Sequence, residues 1–141
     1  MAKKWPEGVA MVEVPIYGQR VWLVFDRETD REVRDFFGVE PAAESVAGHA
    51  GVFTQRDSGR AEFVLAAFAS KDSADWVCTA SHECVHMAYY VLDCVGVEHD
   101  AGNHEAFAYL QGWLLGEVMA AYAKWRKKKR VKRCANSALV G

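Results

Sequence analysis

Two histidines and a glutamate near the middle of the chain are residue types that a metal-dependent hydrolase needs. His82, Glu83 and His86 form the pattern His-Glu-x-x-His. In a helix, residues four apart lie on one face, one turn from each other, so both imidazoles can bind the same metal ion. Glu83 adjoins the first histidine, where a general base is needed to take a proton from a water molecule. The pattern predicts a site for one zinc ion per chain.

A catalytic zinc site needs a third protein ligand and leaves its fourth position open for water. Glu105 follows His86 after eighteen intervening residues and is the candidate for this ligand. It lies in the first turn of a second predicted helix, where the helix dipole also favours a carboxylate. His104 is the alternative ligand, although it points about 100° away from Glu105 around the helix. Small residues on the predicted face of Glu105 would let the two helices approach closely: Ala108, Gly112 and Gly116.

Hydrolysis of a peptide bond also requires a hydrogen-bond donor for the developing oxyanion. Tyr109 is the candidate catalytic donor, and three further side chains near the motif are alternatives to it: Tyr89, Tyr90 and His104. An extended peptide substrate is expected to pair with an exposed strand edge. Residues 62–69 are the candidate strand for this role.

The composition is typical of a single globular domain. The chain has 141 residues, of which 51% are hydrophobic and 26% charged, which are ordinary values. Its apolar runs fall well short of the roughly 20 residues of a membrane span, and the N-terminus lacks the apolar segment of a secretory signal. The four cysteines fit reduced thiols better than a disulfide framework: Cys78, Cys84, Cys94 and Cys134. The first three fall within or near one predicted helix, where they are expected to be small apolar filling residues rather than metal ligands. We therefore expect a cytoplasmic protein with no membrane partner.

Charge is distributed unevenly along the chain. The segment from Lys124 to Arg133 contains eight basic residues and no acidic residue, whereas the rest of the chain has nine basic and nineteen acidic residues. Such a basic tail has three interpretations. It is a solvated helix end favoured by the helix dipole, a site of non-specific contact with nucleic acid phosphates, with Trp125 available for stacking, or a segment that docks on an acidic protein surface, including that of its own chain.

The order of predicted elements indicates an α+β fold. The first seventy residues are β-rich, with strands predicted at 9–17, 21–25, 51–55 and 62–69 and a short amphipathic helix at 28–37 that ends at Gly38. The second half contains two long helices. One begins at residue 73 or 75 and ends at 94, and the other follows the N-cap Asn103 and extends to about residue 128. An apolar stripe on the second helix is predicted to be core: Phe107, Leu110, Leu114, Val118, Tyr122 and Trp125.

These elements predict a small, mostly antiparallel sheet covered on one face by the two long helices, which hold the metal site between them. The domain is expected to span residues 1–123, with a basic C-terminal tail at 124–141.

The spacing of the motif resembles that of a known class of enzymes. His82-Glu83-x-x-His86, followed after eighteen residues by Glu105 within Asn-His-Glu-Ala-Phe-Ala, is similar to the gluzincin pattern of thermolysin-like and aminopeptidase-N-like metallopeptidases. The stretch from residue 82 to 112 more closely resembles small metallopeptidase-like proteins encoded in tailed-phage genomes. This resemblance implies a zincin-like fold, His82, His86 and Glu105 as zinc ligands, and Glu83 as general base. If the protein is phage-encoded, it implies action in the host bacterial cytoplasm.

Two functions are consistent with these features. The first is a zinc-dependent metallopeptidase that acts on a peptide or protein. The second is a non-catalytic, zinc-stabilised interaction protein, such as a phage-encoded binder of a host protein or of nucleic acid. Glu83 favours the first, because a purely structural metal site has no use for a general base.

Overall fold

A computed structural model describes residues 4–56 and 58–139 of the chain. Its fold is α+β, as the order of elements predicts. In chain order the elements are β1 (Ala10–Glu13), β2 (Arg20–Val24), α1 (Arg27–Phe37), β3 (Gly48–Thr54), β4 (Ala61–Ala67), α2 (Ser73–Cys94) and α3 (His104–Ala138).

The four strands form one mixed sheet in the order β1-β2-β4-β3. β1 and β2 form an antiparallel hairpin, and β3 pairs with β4 in the antiparallel sense. β2 and β4 are parallel, because α1 and β3 lie between them in the chain and return it to the same end of the sheet. Two of the three pairings are therefore antiparallel, as predicted.

One prediction about the sheet is wrong. Residues 62–69 were expected to offer a free edge to a substrate, but β4 pairs with β2 on one side and with β3 on the other. Six of its seven residues are buried, and five of these six, residues 63–67, are apolar, as expected for a strand with neighbours on both sides. The strand that lies at an edge of the described sheet beside β4 is β3.

Both faces of the sheet are covered. α2 and α3 pack on one face in a core that includes Leu23, Leu65, Met87 and Leu114. On the other face α1 contributes Val33 and Phe37 to a second cluster, which includes Trp5 of the N-terminal segment. The two long helices therefore cover one face, as predicted, and the short amphipathic helix covers the other.

The caps of α1 and α2 explain their boundaries. Asp26 accepts a hydrogen bond from the backbone of Thr29 at the start of α1, and Gly38 ends that helix with a φ of 68°. Asp72 accepts hydrogen bonds from the backbone of Ala74 and Asp75 at the start of α2. Both helices therefore begin and end within about a residue of the predicted positions.

α3 is longer than predicted. It continues to Ala138, about ten residues beyond the expected end, and includes the whole basic segment. Its predicted apolar stripe is confirmed as core, because Leu110, Leu114, Val118 and Tyr122 are buried and Phe107 and Trp125 pack against the same cluster. Within residues 4–56 and 58–139, no helix combines the length and the apolar character needed to cross a membrane.

Candidate metal centre

His82 and His86 lie on the exposed face of α2 and point toward the same place. Their Nε2 atoms are 3.1 Å apart. Two nitrogen ligands on one tetrahedral zinc ion lie about 3.3 Å apart, since each zinc–nitrogen bond is about 2.0–2.1 Å. The pair could therefore hold one ion with little movement of either ring.

The register of α2 explains why these histidines face outward. The helix buries one side against the sheet and α3, through Trp76, Ala80, Cys84, Met87 and Val91. These residues recur every three to four positions, which is the period of one helical face. His82 and His86 fall between them and reach the surface.

Glu83 occupies the boundary between this surface and the core. Its exposed fraction is only 7%. Burial raises the pKa of Glu83 above its usual value, and the nearby His82, His86 and His49 partly oppose this effect. A carboxylate with a raised pKa beside two imidazoles has the properties of a general base.

Glu83 is buried because β3 approaches α2 closely at Gly48. A Cβ atom at Gly48 would lie 3.1 Å from Cγ of Glu83, 2.8 Å from Cγ2 of Thr79 and 2.6 Å from the carbonyl oxygen of Ala66. No side chain fits in this space without a shift of the backbone around it. The edge strand β3 therefore passes directly beside the predicted general base.

The structure does not bring the predicted third ligand into a common group with the two histidines. Glu105 is the second residue of α3, its side chain is 70% exposed, and its Oε1 lies 3.9 Å from Nδ1 of His104. Among residues 4–56 and 58–139, no three His, Cys, Asp or Glu side chains are arranged as a metal-binding group.

The expected reason for a close approach of Glu105 to α2 is wrong. Ala108, Gly112 and Gly116 were predicted to form the contact between the two helices, but all three are exposed. A Cβ atom at Gly112 or Gly116 would meet nothing within 4 Å. α3 packs through its apolar stripe instead, and the small residues lie on its exposed surface.

A cavity of about 270 Å³ opens along the C-terminal half of α2, lined by Tyr89, Asp93, Glu98, His99, Asp100 and Phe107 among others. Tyr89 is one helical turn beyond His86 and about half exposed, and Tyr109 is 77% exposed on α3. Both phenols are accessible to a substrate. His99 stacks on Phe107 with ring centroids 4.5 Å apart, so aromatic packing accounts for its position.

A buried ionic cluster that no sequence pattern indicates includes His49, the residue after Gly48 on β3. Asp30 of α1 is 2% exposed. Its Oδ1 lies 2.6 Å from Nε2 of His49 on β3, and its Oδ2 accepts a hydrogen bond of 2.9 Å from Nε of Arg34. Burial acts to raise the pKa of Asp30, but His49 and then Arg34 outweigh it, so that the pKa lies below its usual value. The cluster joins α1 to the strand that passes Glu83.

The cysteines are free thiols, as predicted. Cys84 is fully buried, and its burial, followed by the charge of Glu83, raises the pKa of its thiol to about 12. Cys84 is therefore a neutral, apolar core residue, as predicted. The same prediction is wrong for Cys78 and Cys94, which are exposed, as is Cys134.

Comparisons with known proteins identify no relative: no protein-family model, no curated protein and no solved structure matches the chain.

Proposed function

We propose that this protein is a zinc-dependent metallopeptidase of the gluzincin type. The observation that supports this proposal most strongly is the pair of exposed imidazoles 3.1 Å apart, directly beside a buried glutamate. A structural metal site would need the two histidines but not the glutamate.

His82 and His86 would hold the zinc ion, and Glu105 is the proposed third ligand. A zinc ion in this position, when bound, would supply a Lewis acid and lower the pKa of water toward about 7. Glu105 lies in the first turn of α3, so its long side chain and the adjoining loop would have to turn toward α2 to complete the site. His104 remains the alternative ligand.

Glu83 is the proposed general base. It would take a proton from the attacking water and deliver that proton to the amine that leaves when the peptide bond breaks. Its close packing against Gly48 restricts the side chain at Cγ, which would lower the cost of orienting the carboxylate for the reaction. Tyr109 is the proposed donor to the oxyanion, with Tyr89 as the alternative on the helix that carries the histidines.

The substrate would be an extended peptide or protein segment that pairs with the free edge of β3. This strand passes beside Glu83 at Gly48, and its partner β4 occupies only one of its edges in the described sheet. Backbone pairing at this edge would place a peptide bond near the two histidines. The proposed setting is the cytoplasm, and in a phage-encoded protein this is the cytoplasm of the bacterial host.

Hydrolysis by the Glu83→Gln variant is the experiment that tests this proposal. Zinc-loaded wild type should cleave members of a quenched fluorescent peptide library, and Glu83→Gln should lose about 10²- to 10⁴-fold in rate because the general base is removed. Glu32→Gln, an exposed glutamate on α1, is the matched control and should cleave as wild type does.

Measurements of zinc content and stability on the two variants show whether a loss of hydrolysis is due to the missing general base or to a disrupted fold. Zinc content should be similar in wild type and in both variants, and the unfolding midpoint of Glu83→Gln should be no lower than that of wild type, because the variant removes a buried charge. Unchanged hydrolysis by Glu83→Gln would contradict the mechanism. Zinc binding without hydrolysis of any peptide by wild type would favour the alternative function, a non-catalytic zinc-stabilised interaction protein.

A further inference from the structure

The C-terminal part of α3 extends beyond the domain as a helix whose sides are all exposed. We call residues 126–138 of this helix the basic arm. Every residue of the arm is exposed, and seven of its first eight residues are lysine or arginine. The arm therefore forms a dense positive charge on a regular scaffold.

Aromatic packing holds residues 122–125, the part of α3 from which the arm extends; we call these residues the root of the arm. Tyr122 is stacked on Trp76 with ring centroids 3.7 Å apart and on Trp125 at 5.7 Å. Phe25 of the segment after β2 contacts both Tyr122 and Trp125. This aromatic cluster fixes the direction in which the arm leaves the domain.

The helix dipole does not account for the position of these charges. Its favourable effect on cations falls off within the last helical turn, and the last turn of α3 contains no basic residue. Lysines and arginines three and four positions apart instead repel each other along the arm, which destabilises an isolated helix. The arm would therefore be stabilised by a polyanion.

The protein's own acidic body does not neutralise the arm. In the part of the chain that the structure describes, the arm's ion pair with the body joins Lys129 to Asp26 at 3.8 Å. Arg126 and Lys129 also approach the rings of Tyr122 and Trp125. These contacts involve only residues 126–129 at the start of the arm. The basic residues from Arg130 onward therefore remain available to a partner.

The charges point in all directions around the helix. Because successive residues turn by about 100°, the widest sector of the arm without a basic residue spans only about 100°. That sector contains Val131, Ala135 and Ala138. Only one of these is larger than alanine, whereas a helix that lies on a membrane needs large apolar side chains on one face.

We propose that the basic arm binds duplex DNA through its phosphates, without sequence preference. The major groove of B-form DNA is about 12 Å wide and admits an α-helix. Phosphates line both sides of this groove, so basic side chains that point in opposite directions from the helix can each contact a phosphate. On a flat anionic surface, only the side chains on one face of the helix could do so. The A-form groove of duplex RNA is too narrow for this. The acidic body would be repelled by DNA, which leaves the arm as the point of contact.

The test is the salt dependence of binding to a fluorescently labelled 20-base-pair duplex of mixed sequence. Wild type should bind at 50 mM salt and weaken steeply as salt increases. Arg130→Gln combined with Arg133→Gln should bind more weakly, and the slope of log affinity against log salt should be smaller by about 2, since each lost phosphate contact removes about 0.9.

The matched control removes two charges from the body. Lys4→Gln combined with Lys71→Gln changes the net charge by the same amount and should bind DNA as wild type does. Glu83→Gln should also bind as wild type does, because DNA binding by the arm does not depend on hydrolysis. Either an arm variant that binds like wild type or a wild type that does not bind at 50 mM salt would overturn the proposal.

Two further measurements identify other partners of the arm. Arm-dependent binding to phosphatidylglycerol vesicles without binding to DNA would overturn the proposal in favour of a lipid surface. Arm-dependent self-association in sedimentation experiments without binding to DNA would overturn it in favour of the acidic body of a second copy.

Discussion

Glu83 is the residue of the motif that affects both the stability of the fold and the proposed reaction. Its backbone belongs to the helix face between the exposed histidines and the buried core, and its carboxylate is nearly buried. Desolvation of this carboxylate raises its pKa, which costs folding free energy at neutral pH. A helix that only had to pack would do better with an apolar residue here, so the glutamate is best explained by function.

The buried carboxylate of Asp30 makes a pH dependence testable. Its pKa is lowered in the folded protein by His49 and Arg34. A carboxylate with a lowered folded-state pKa contributes stability above its unfolded-state pKa of about 3.9, and this stability is lost as pH falls through the folded-state value. Asp30→Asn should therefore reduce the free energy of unfolding by roughly 3 kcal/mol at pH 7, and the difference should shrink below about pH 4.

Urea unfolding of wild type and Asp30→Asn between pH 3 and pH 7 measures this effect. Asp75→Asn removes an exposed carboxylate from the first turn of α2 and should differ from wild type by less than about 1 kcal/mol. A constant difference between wild type and Asp30→Asn at every pH would contradict the assignment of the effect to the ionised carboxylate.

The sequence could reveal some of these residues and not others. His82, Glu83 and His86 are close in the chain, so helical geometry alone relates them. Asp30 and His49 are nineteen residues apart, and they meet only because α1 lies on one face of the sheet at the position where β3 begins. No local pattern predicts that contact.

At the level of elements, the approach of β3 to α2 determines the environment of Glu83. Gly48 allows the strand to pass the helix with no side chain between them. The glycines of α3 have the opposite surroundings, since Gly112 and Gly116 face open space. Substitution by alanine is therefore predicted to change the stability of the protein in opposite directions at Gly48 and at the glycines of α3.

Gly48→Ala should destabilise the protein by about 1–3 kcal/mol, because the added Cβ would overlap the backbone of Ala66 and crowd Glu83. Gly116→Ala should stabilise it by roughly 0.5–1 kcal/mol, because alanine is favoured over glycine inside a helix. Urea unfolding of both variants beside wild type measures the difference. Equal effects of the two substitutions would show that β3 does not approach α2 as described.

The boundaries of α1 and α2 could be predicted because capping residues mark them in the sequence. The end of α3 could not, since a run of lysines and arginines is compatible with both a helix and a solvated tail. The start of β3 was also missed. Residues 41–50 are rich in small and polar residues with no alternating pattern, and pairing with β4 makes 48–50 part of the strand.

At the level of the whole molecule, the chain combines an acidic domain with a basic helix that leaves it. The arm contributes few contacts to the domain, because its residues are exposed and its ion pair with Asp26 lies at the surface. Its function and that of the candidate metal centre should therefore be separable.

Truncation after Trp125 tests this separation. The aromatic cluster at the root of the arm would remain, and the loss of one surface ion pair and two exposed cation–π contacts should cost about 1–2 kcal/mol. Thermal unfolding and zinc content of the truncated protein should resemble those of wild type, while affinity for DNA should be lost. A truncated protein that fails to fold would contradict the separation of arm and domain.

The mixed topology of the sheet is the feature of the whole fold that the sequence did not predict. The elements and their rough order could be derived from residue patterns, and the α+β class follows from them. The pairing of β2 with β4 could not be derived in this way, because these two strands are separated in the chain by α1 and β3 and no local pattern relates them. This pairing leaves β3, and not β4, at the edge of the described sheet.

The most direct test of the central claim is the zinc content per chain, measured by plasma mass spectrometry on purified wild type and His86→Ala, with His99→Ala as the matched control. We predict about one zinc ion in wild type and in His99→Ala, and little or none in His86→Ala. Glu105→Ala, measured in the same series, should bind zinc much more weakly if Glu105 is the third ligand. Wild type without zinc, or His86→Ala with a full complement, would contradict the proposed metal centre.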